Sequence, residues 1–336
     1  MNTFITFGVI FITTSIALLL GPLAIRAAKK IGLVDDPSKA AHKIHANLIP
    51  VVGGVILALV ITTASIVSGA IRSEVILAIL VPAGIVFAFG LWDDYRNLPP
   101  VVKISGQLLA ALVMIFLGLQ VQLFQQNWLN LLLTVFWIVG VTNAYNFVDS
   151  MDGLAIGLAS LASAFFMLIT IESQQASLSY FSTILLGASL GVYYYNAPPA
   201  KIFIGDSGAQ LMGFILGGLA IAYNPLGFSR FASWYLPILL MGVPIFDTTL
   251  VVVSRLRRRK PVYRAGRDHT YHRLVRRGMS PNRAVLTMHM IALLLGALAF
   301  IALELTPILG NLIFALVLAS GLAGIIFLDM GWKEPV

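Results

Sequence analysis

The sequence predicts an all-α, polytopic integral membrane protein with about eleven transmembrane helices, the N-terminus outside and the C-terminus cytoplasmic. Three observations carry this. Of 336 residues, 59% are hydrophobic and 11% are charged, against roughly 25% charged in an ordinary soluble domain. The apolar residues fall in stretches about 20 long, the length a helix needs to cross hydrocarbon. Lys and Arg are also strongly biased to alternate connecting segments. Composition of this kind excludes a soluble enzyme, a disordered chain and a nucleic-acid-binding domain. The chain has no Cys, so disulfides, thiolate zinc sites and cysteine nucleophiles are excluded too.

The expected spans are about 3–25, 49–69, 74–92, 101–119, 127–146, 152–172, 179–197, 207–223, 232–254, 285–303 and 310–328. Their all-round apolar character rules out a transmembrane barrel, whose strands alternate. The first span has no basic residues before it, and Arg26, Lys29 and Lys30 follow it. It is too long for the apolar part of a signal peptide and reads as a retained helix. With the N-terminus outside, 20 of the 22 Lys and Arg residues fall on the inside, and only Arg72 and Arg230 lie outside. That asymmetry accounts for the net charge of +8 without a nucleic-acid partner.

No polar segment is long enough for a separate soluble domain, so residues 1–336 read as a single transmembrane domain. Its cytoplasmic loops are about 26–48, 93–103, 146–153, 198–208 and 255–284. Eleven of the 14 Asp and Glu residues lie on or near this same face. Orientation does not require that, because acidic residues hardly affect topology. Polar residues at the membrane are functional candidates.

Four motifs stand out on that face. Asp93-Asp94 closes the third span before Pro99-Pro100, with Lys103 just beyond. Adjacent carboxylates repel unless cations or donors compensate them. They read either as a solvated helix end or as part of a site, and Lys103 either snorkels or meets a phosphate. The second motif spaces Asn143, Asn146, Asp149 and Asp152 by three residues, ahead of Gly153. The helix is expected to end near Phe147 and to bend around a site at Gly153. Oxygen donors without Cys or His suit Mg²⁺. The third motif is Phe203-Ile204-Gly205-Asp206-Ser207-Gly208, where Asp206 reads either as a helix cap or as a functional group.

The fourth is the basic loop 255–284, with Arg264, Arg267, Asp268, His269, Tyr271, His272 and Arg273. Positive-inside bias explains its run of arginines but not its two histidines. Histidines and arginines facing acidic loops suit a phosphorylated substrate bridged by a metal. A further cluster of His42, Lys43 and His45 lies in the first inside loop. Asp247 lies within the ninth span, where a carboxylate needs a partner, and Arg255 is one candidate. No Gly-x-x-x-x-Gly-Lys-Ser/Thr loop is present, which argues against an ATP-driven pump.

In this order the four motifs resemble the polyprenyl-phosphate N-acetylhexosamine-1-phosphate transferases, over essentially the whole chain. Arg267-Asp-His-Thr-Tyr-His272 is more similar to the undecaprenyl-phosphate GlcNAc-1-phosphate branch than to the branch using UDP-MurNAc-pentapeptide. Two departures are Tyr271-His272, where adjacent histidines are common in the family, and His42, where Arg often precedes the Lys. Neither touches a candidate metal ligand.

The resemblance implies transfer of GlcNAc-1-phosphate from UDP-GlcNAc to undecaprenyl phosphate, releasing UMP. This is the first membrane step of a cell-envelope polysaccharide such as teichoic acid or lipopolysaccharide. It implies a bacterial cytoplasmic membrane, an active site facing the cytoplasm, Mg²⁺ (with Mn²⁺ as a substitute) and a homodimer. Asn146 and Asp206 are the implied metal ligands. Asp93, Asp94, Asp149, His269 and His272 are the candidate catalytic residues. Lys43, Lys103, Asn143, Asp152, Phe203 and Arg267 are the candidate substrate contacts, Phe203 as a stacking face for uracil. Asp93 acts either as a general base or, with Asp94, positions metal or acceptor. The alternatives are the same reaction with another UDP-N-acetylhexosamine, a transporter or lipid flippase, and a lipid-binding scaffold.

Overall fold

The computed structural model describes residues 3–35, 48–224, 233–262, 266–330 and 332. Helices α1 to α8 run over Thr3–Ile31, Gly53–Val67, Glu74–Arg96, Pro100–Phe116, Asn127–Val148, Leu154–Glu172, Ala176–Asn196 and Gly205–Ala222. They are followed by α9 (Leu236–Leu240), α10 (Gly242–Arg257), α11 (Thr270–Arg276), α12 (Pro281–Leu303) and α13 (Pro307–Asp329). The only sheet among the described residues pairs β1 (Val34–Asp35) with β2 (Ile49–Pro50) in antiparallel register, Val34 opposite Pro50.

Seven helices are long and apolar enough to cross a membrane: α1, α3, α5, α6, α7, α12 and α13. Two shorter apolar helices, α2 and α4, accompany them. The chain is thus a multi-pass helical membrane protein. Proline sets several helix starts. Pro100, Pro281 and Pro307 sit in the first turn of α4, α12 and α13, where a missing N–H costs nothing. Asn97, in the left-handed conformation, ends α3.

The sequence predicts one helix over 232–254, and here the structure differs. That stretch divides into α9 and α10 at Met241. Pro244 has no N–H to return to the carbonyl of Leu240, and its ring crowds that carbonyl, so the helix restarts at Gly242. The first helix also runs on to Ile31, so Arg26, Lys29 and Lys30 belong to its last turns rather than to a loop. Their charge suits the negative end of the helix.

The bundle is centred on α6, α7 and α8, whose side chains are mostly buried within the protein. By contrast, α13 exposes Leu312, Leu316, Leu322 and Ile326, as expected of a helix facing lipid tails. The packing brings the ends of α3, α5 and α10 and the starts of α4 and α8 to one end of the bundle.

Candidate active site

The link between these helix ends begins at the third motif. Phe203 pairs in parallel with Val51, and its N–H donates to the carbonyl of Pro50 at 2.9 Å. Gly53 and Gly54 return N–H bonds to the carbonyls of Phe203 and Ile204 at 2.9 and 3.0 Å. The start of α2 and the start of α8 are thereby tied together. Gly205 then adopts a φ of +69°, and a Cβ there would meet the Asp94 carboxylate at 2.5 Å. Only glycine satisfies both demands.

Asp94 fills the space that Gly205 leaves open. Its two oxygens accept from the N–H of Asp206 at 2.7 Å, the N–H of Ser207 at 3.2 Å and the Ser207 hydroxyl at 2.5 Å. Neighbouring Asp93 is buried and accepts from the N–H of Leu98 at 2.5 Å. The pair is therefore not a solvated helix end, and each carboxylate has its own compensating donors, as like charges so close require.

Lys103 joins the motifs. Its ammonium contacts Asp93 and lies 2.7 Å from Asp206 Oδ2. Asp206 does not cap its helix: Ile204 holds the cap position, and no side chain bonds there. Instead Asp206 Oδ2 accepts from Lys103, from Asn146 Nδ2 at 3.4 Å and from Gln210 Nε2 at 3.4 Å. Behind it runs a chain of carboxamides that sequence reasoning missed. Asn143 Nδ2 donates to Gln107 Oε1 at 2.6 Å, and Gln107 Nε2 donates to Gln210 Oε1 at 3.0 Å. The signal was available, because Gln107 and Gln210 are amides inside apolar helices. Asn143, expected to contact substrate, is committed to Gln107 and to the carbonyl of Val139.

The second motif ends as expected. Helix α5 stops at Val148, and Gly153, at φ +75°, turns the chain into α6. Buried Asn196, also missed, fixes this turn by accepting from Gly153 N–H at 3.1 Å and donating to Ile202 at 2.8 Å. Asp149 is recessed beside the cluster. Desolvation, then the charges of Asp206, Asp94 and Asp152, push its carboxyl well above the usual range. Asp152 accepts from the N–H of Ala200 at 2.9 Å.

The fourth motif meets the second through aromatic contact, with the Phe147 and His269 rings 6.1 Å apart. Asp247 does not pair with Arg255. It holds His269 Nδ1 at 2.8 Å and accepts from Thr270 N–H at 2.6 Å. A carboxylate on Nδ1 orients the ring and fixes which nitrogen carries the proton. Arg255 instead grips Asp268 through two bonds of 2.9 and 2.7 Å. Burial alone would raise the Asp268 carboxyl, yet this guanidinium holds it below the ordinary range. His272 lies beside His269, and burial, then the charges of His269 and Arg267, push it down to about 4. It is neutral at physiological pH.

Arg267 is exposed, whereas Arg273 is wholly buried and so is not a substrate contact. His42, Lys43, His45 and Arg264 lie outside the described residues. A cavity of about 550 Å³ sits at the other end of the bundle, between Val75, Trp137, Ala222 and Trp234, away from all these groups.

The oxygen-only donor set suits Mg²⁺. Among the described residues no three His, Asp or Glu side chains converge into a protein-only metal cage. Mg²⁺ does not need one, since it usually keeps waters and binds one or two carboxylates plus substrate phosphates. Asp206 and Asn146 fit that pattern.

Residues 75–224 match the family described as glycosyl transferase family 4. The chain is 31% identical over 296 residues to a probable undecaprenyl-phosphate N-acetylglucosaminyl 1-phosphate transferase of Bacillus subtilis, covering 84% of this chain and 81% of the relative. It is 31% identical to a decaprenyl-phosphate N-acetylglucosaminephosphotransferase of Mycolicibacterium smegmatis, covering 81% and 75%. A phospho-N-acetylmuramoyl-pentapeptide-transferase of Bacillus anthracis is 27% identical, with 88% and 95% covered. The 31% identity over most of both chains establishes that the chain belongs to the polyprenyl-phosphate N-acetylhexosamine-1-phosphate transferases.

Proposed function

We propose that this transferase moves GlcNAc-1-phosphate from UDP-GlcNAc to undecaprenyl phosphate at the cytoplasmic face of a bacterial cytoplasmic membrane, as a homodimer using Mg²⁺. The observation that carries the reading is Asp206, held among Lys103, Asn146 and Gln210 where the ends of α3 and α5 meet the starts of α4 and α8. The higher identity to the N-acetylglucosaminyl relatives, 31% against 27%, supports the sugar.

Charge is the obstacle to this reaction. The donor diphosphate carries about −2, and a phosphate monoester adds about −1.5 to −2 at neutral pH. An acceptor oxygen attacks the sugar-linked phosphorus, the bond from that phosphorus to the UMP oxygen breaks, and UMP leaves. Asp206 and Asn146 would hold Mg²⁺, which supplies charge neutralisation between the phosphates. Lys103 adds a fixed cation beside Asp93 and Asp206. Asp149 stands beside this cluster, where burial and the neighbouring carboxylates favour its neutral form. His269, oriented by Asp247, and exposed Arg267 contact the donor. The acceptor phosphate is already mostly ionised and needs no general base, so Asp93 and Asp94 position the cluster.

The test is UMP release by purified protein in nanodiscs, with UDP-GlcNAc, UDP-GalNAc and UDP-MurNAc-pentapeptide as donors. Release from UDP-GlcNAc that depends on undecaprenyl phosphate is expected. A clear preference for another donor overturns the sugar, and no release from any donor overturns the transferase reading in favour of a transporter or scaffold.

A further inference from the structure

The last helix ends in a carboxylate that the chemistry above does not use. Asp329 closes α13, is 5% exposed, and stands at the negative end of a helix, where an acid is disfavoured unless cations surround it. Four donors do so. Ser254 Oγ and Arg258 Nη2 approach Oδ1 at 2.7 Å, Arg273 Nη1 approaches it at 3.0 Å, and Arg257 Nη2 approaches Oδ2 at 2.6 Å. Arg257 is largely exposed and contributes little, because water screens it. Arg273 is the informative partner. It is 0% exposed, and its guanidinium lies over the Trp332 ring at 4.9 Å. A buried guanidinium is tolerated only when its donors are met.

Those donors lead to the histidine loop. Arg273 Nη2 donates to Ser254 Oγ at 2.8 Å, and its Nε donates to the backbone carbonyl of Asp268 at 2.7 Å. Asp268 lies between Arg267 and His269, and Arg255 grips its side chain. The loop is therefore held from behind at one residue by two buried arginines, while Asp247 holds the His269 ring from the side.

We infer that Asp329 is a positioning residue for the donor side of the reaction: through Arg273 it fixes the Asp268 backbone, and with it the aim of Arg267 and His269. The last turn of the C-terminal helix thereby sets the affinity for the nucleotide sugar without touching it. The lipid acceptor should be indifferent, because the clamp reaches neither Lys103 nor Asp206. This inference rests on the donor contacts proposed above.

The experiment uses the full chain in nanodiscs and two variants, Asp329→Asn and the milder Ser254→Ala. Hydrogen exchange of residues 266–272, measured without substrate, reads the clamp itself. It should accelerate in Asp329→Asn and less in Ser254→Ala, with the Gly153 turn unchanged. The KM for UDP-GlcNAc should then rise about 10- to 100-fold in Asp329→Asn, the range expected when a contact group is misplaced by about 1 Å. The KM for undecaprenyl phosphate should stay within about twofold of wild type. In a His269→Ala background, Asp329→Asn should add little, because the two act through one contact. Unchanged exchange over 266–272, or equal loss for donor and acceptor, overturns the inference. If the wild-type protein releases no UMP from UDP-GlcNAc, the substrate reading fails separately, and the exchange measurement still decides the clamp.

Discussion

Asp206→Asn separates chemistry from architecture more cleanly than any other single change. The substitution keeps shape and helix-start preference, since Asn caps and begins helices about as well as Asp. What changes is charge and donor pattern. Asp206 Oδ2 accepts from Lys103 at 2.7 Å and from two carboxamides at 3.4 Å. An Asn either turns its NH₂ group toward three donors or offers one neutral oxygen. The contact with Lys103 is the main loss. A hydrogen bond to a charged group is worth about 1.5–3 kcal/mol, or roughly 10- to 150-fold in rate if it is fully expressed in the transition state. Loss of the anionic metal ligand should add to this, so turnover is expected to fall by about 10³-fold or more, the scale of a removed electrostatic stabiliser. The assay is UMP release in nanodiscs under saturating substrates, with thermal unfolding followed by the fluorescence of the five tryptophans. The protein should still fold and melt only a few degrees below wild type, since Lys103 keeps its contact with Asp93. Turnover within about threefold of wild type would refute the reasoning, because a charged bond worth anything near the stated range could not be removed so cheaply.

Chelation should abolish turnover, and Mg²⁺ or Mn²⁺ should restore it; activity that survives rigorous chelation removes the metal from the reading. Reporter fusions after Arg72 should read outside and those after Pro261 and Val336 inside; an outside C-terminus refutes the eleven-span topology. His272 has a folded pKa of about 4, below its unfolded value of about 6.5, so between these values the unfolded chain binds a proton that the folded chain does not. Stability should therefore fall as pH drops through that window, and melting curves of His272→Gln should show a shallower decline; an identical slope argues that His272 is not desolvated. Labelled UMP should exchange into UDP-GlcNAc only when lipid acceptor or product is present; exchange by lipid-free enzyme that disappears in Asp93→Asn or Asp94→Asn indicates a covalent intermediate.

The fold class and the polar cluster were legible because each left a local mark. Long apolar stretches can only be buried or face lipid, and acids at helix ends are too costly to be incidental. The bend at Gly153 followed from one glycine after a polar run. Partnerships were not legible where they cross the chain. Arg255 lies two turns from Asp247 in sequence, yet the restart of the helix after Met241 and the return of the loop give Asp247 to His269. Arg255 goes to Asp268 thirteen residues on. Local spacing ranks near neighbours first, whereas a buried carboxylate is satisfied by whichever donor the packing delivers. Asn143 is the same lesson in reverse. Its spacing matched Asn146 and Asp149, but three residues fall about 60° short of a full turn, and that rotation points Asn143 at Gln107.

The occupancy of the carboxylates bears on the route of transfer. A covalent mechanism needs an aspartate whose oxygen can leave its partners and approach phosphorus. Both oxygens of Asp94 are engaged by the backbone and hydroxyl at the start of α8. Release of those bonds would free the turn that holds Asp206. Asp93 is buried against Lys103 and the N–H of Leu98. An ammonium in contact lowers the nucleophilicity of a carboxylate by stabilising its charge, and burial limits the approach of a bulky diphosphate. The lipid phosphate has neither handicap: its oxygens are anionic, enter from outside the cluster and arrive with the acceptor. The same bonds that make the two aspartates poor nucleophiles make them rigid supports for Lys103 and Asp206, which is the role direct transfer requires of them.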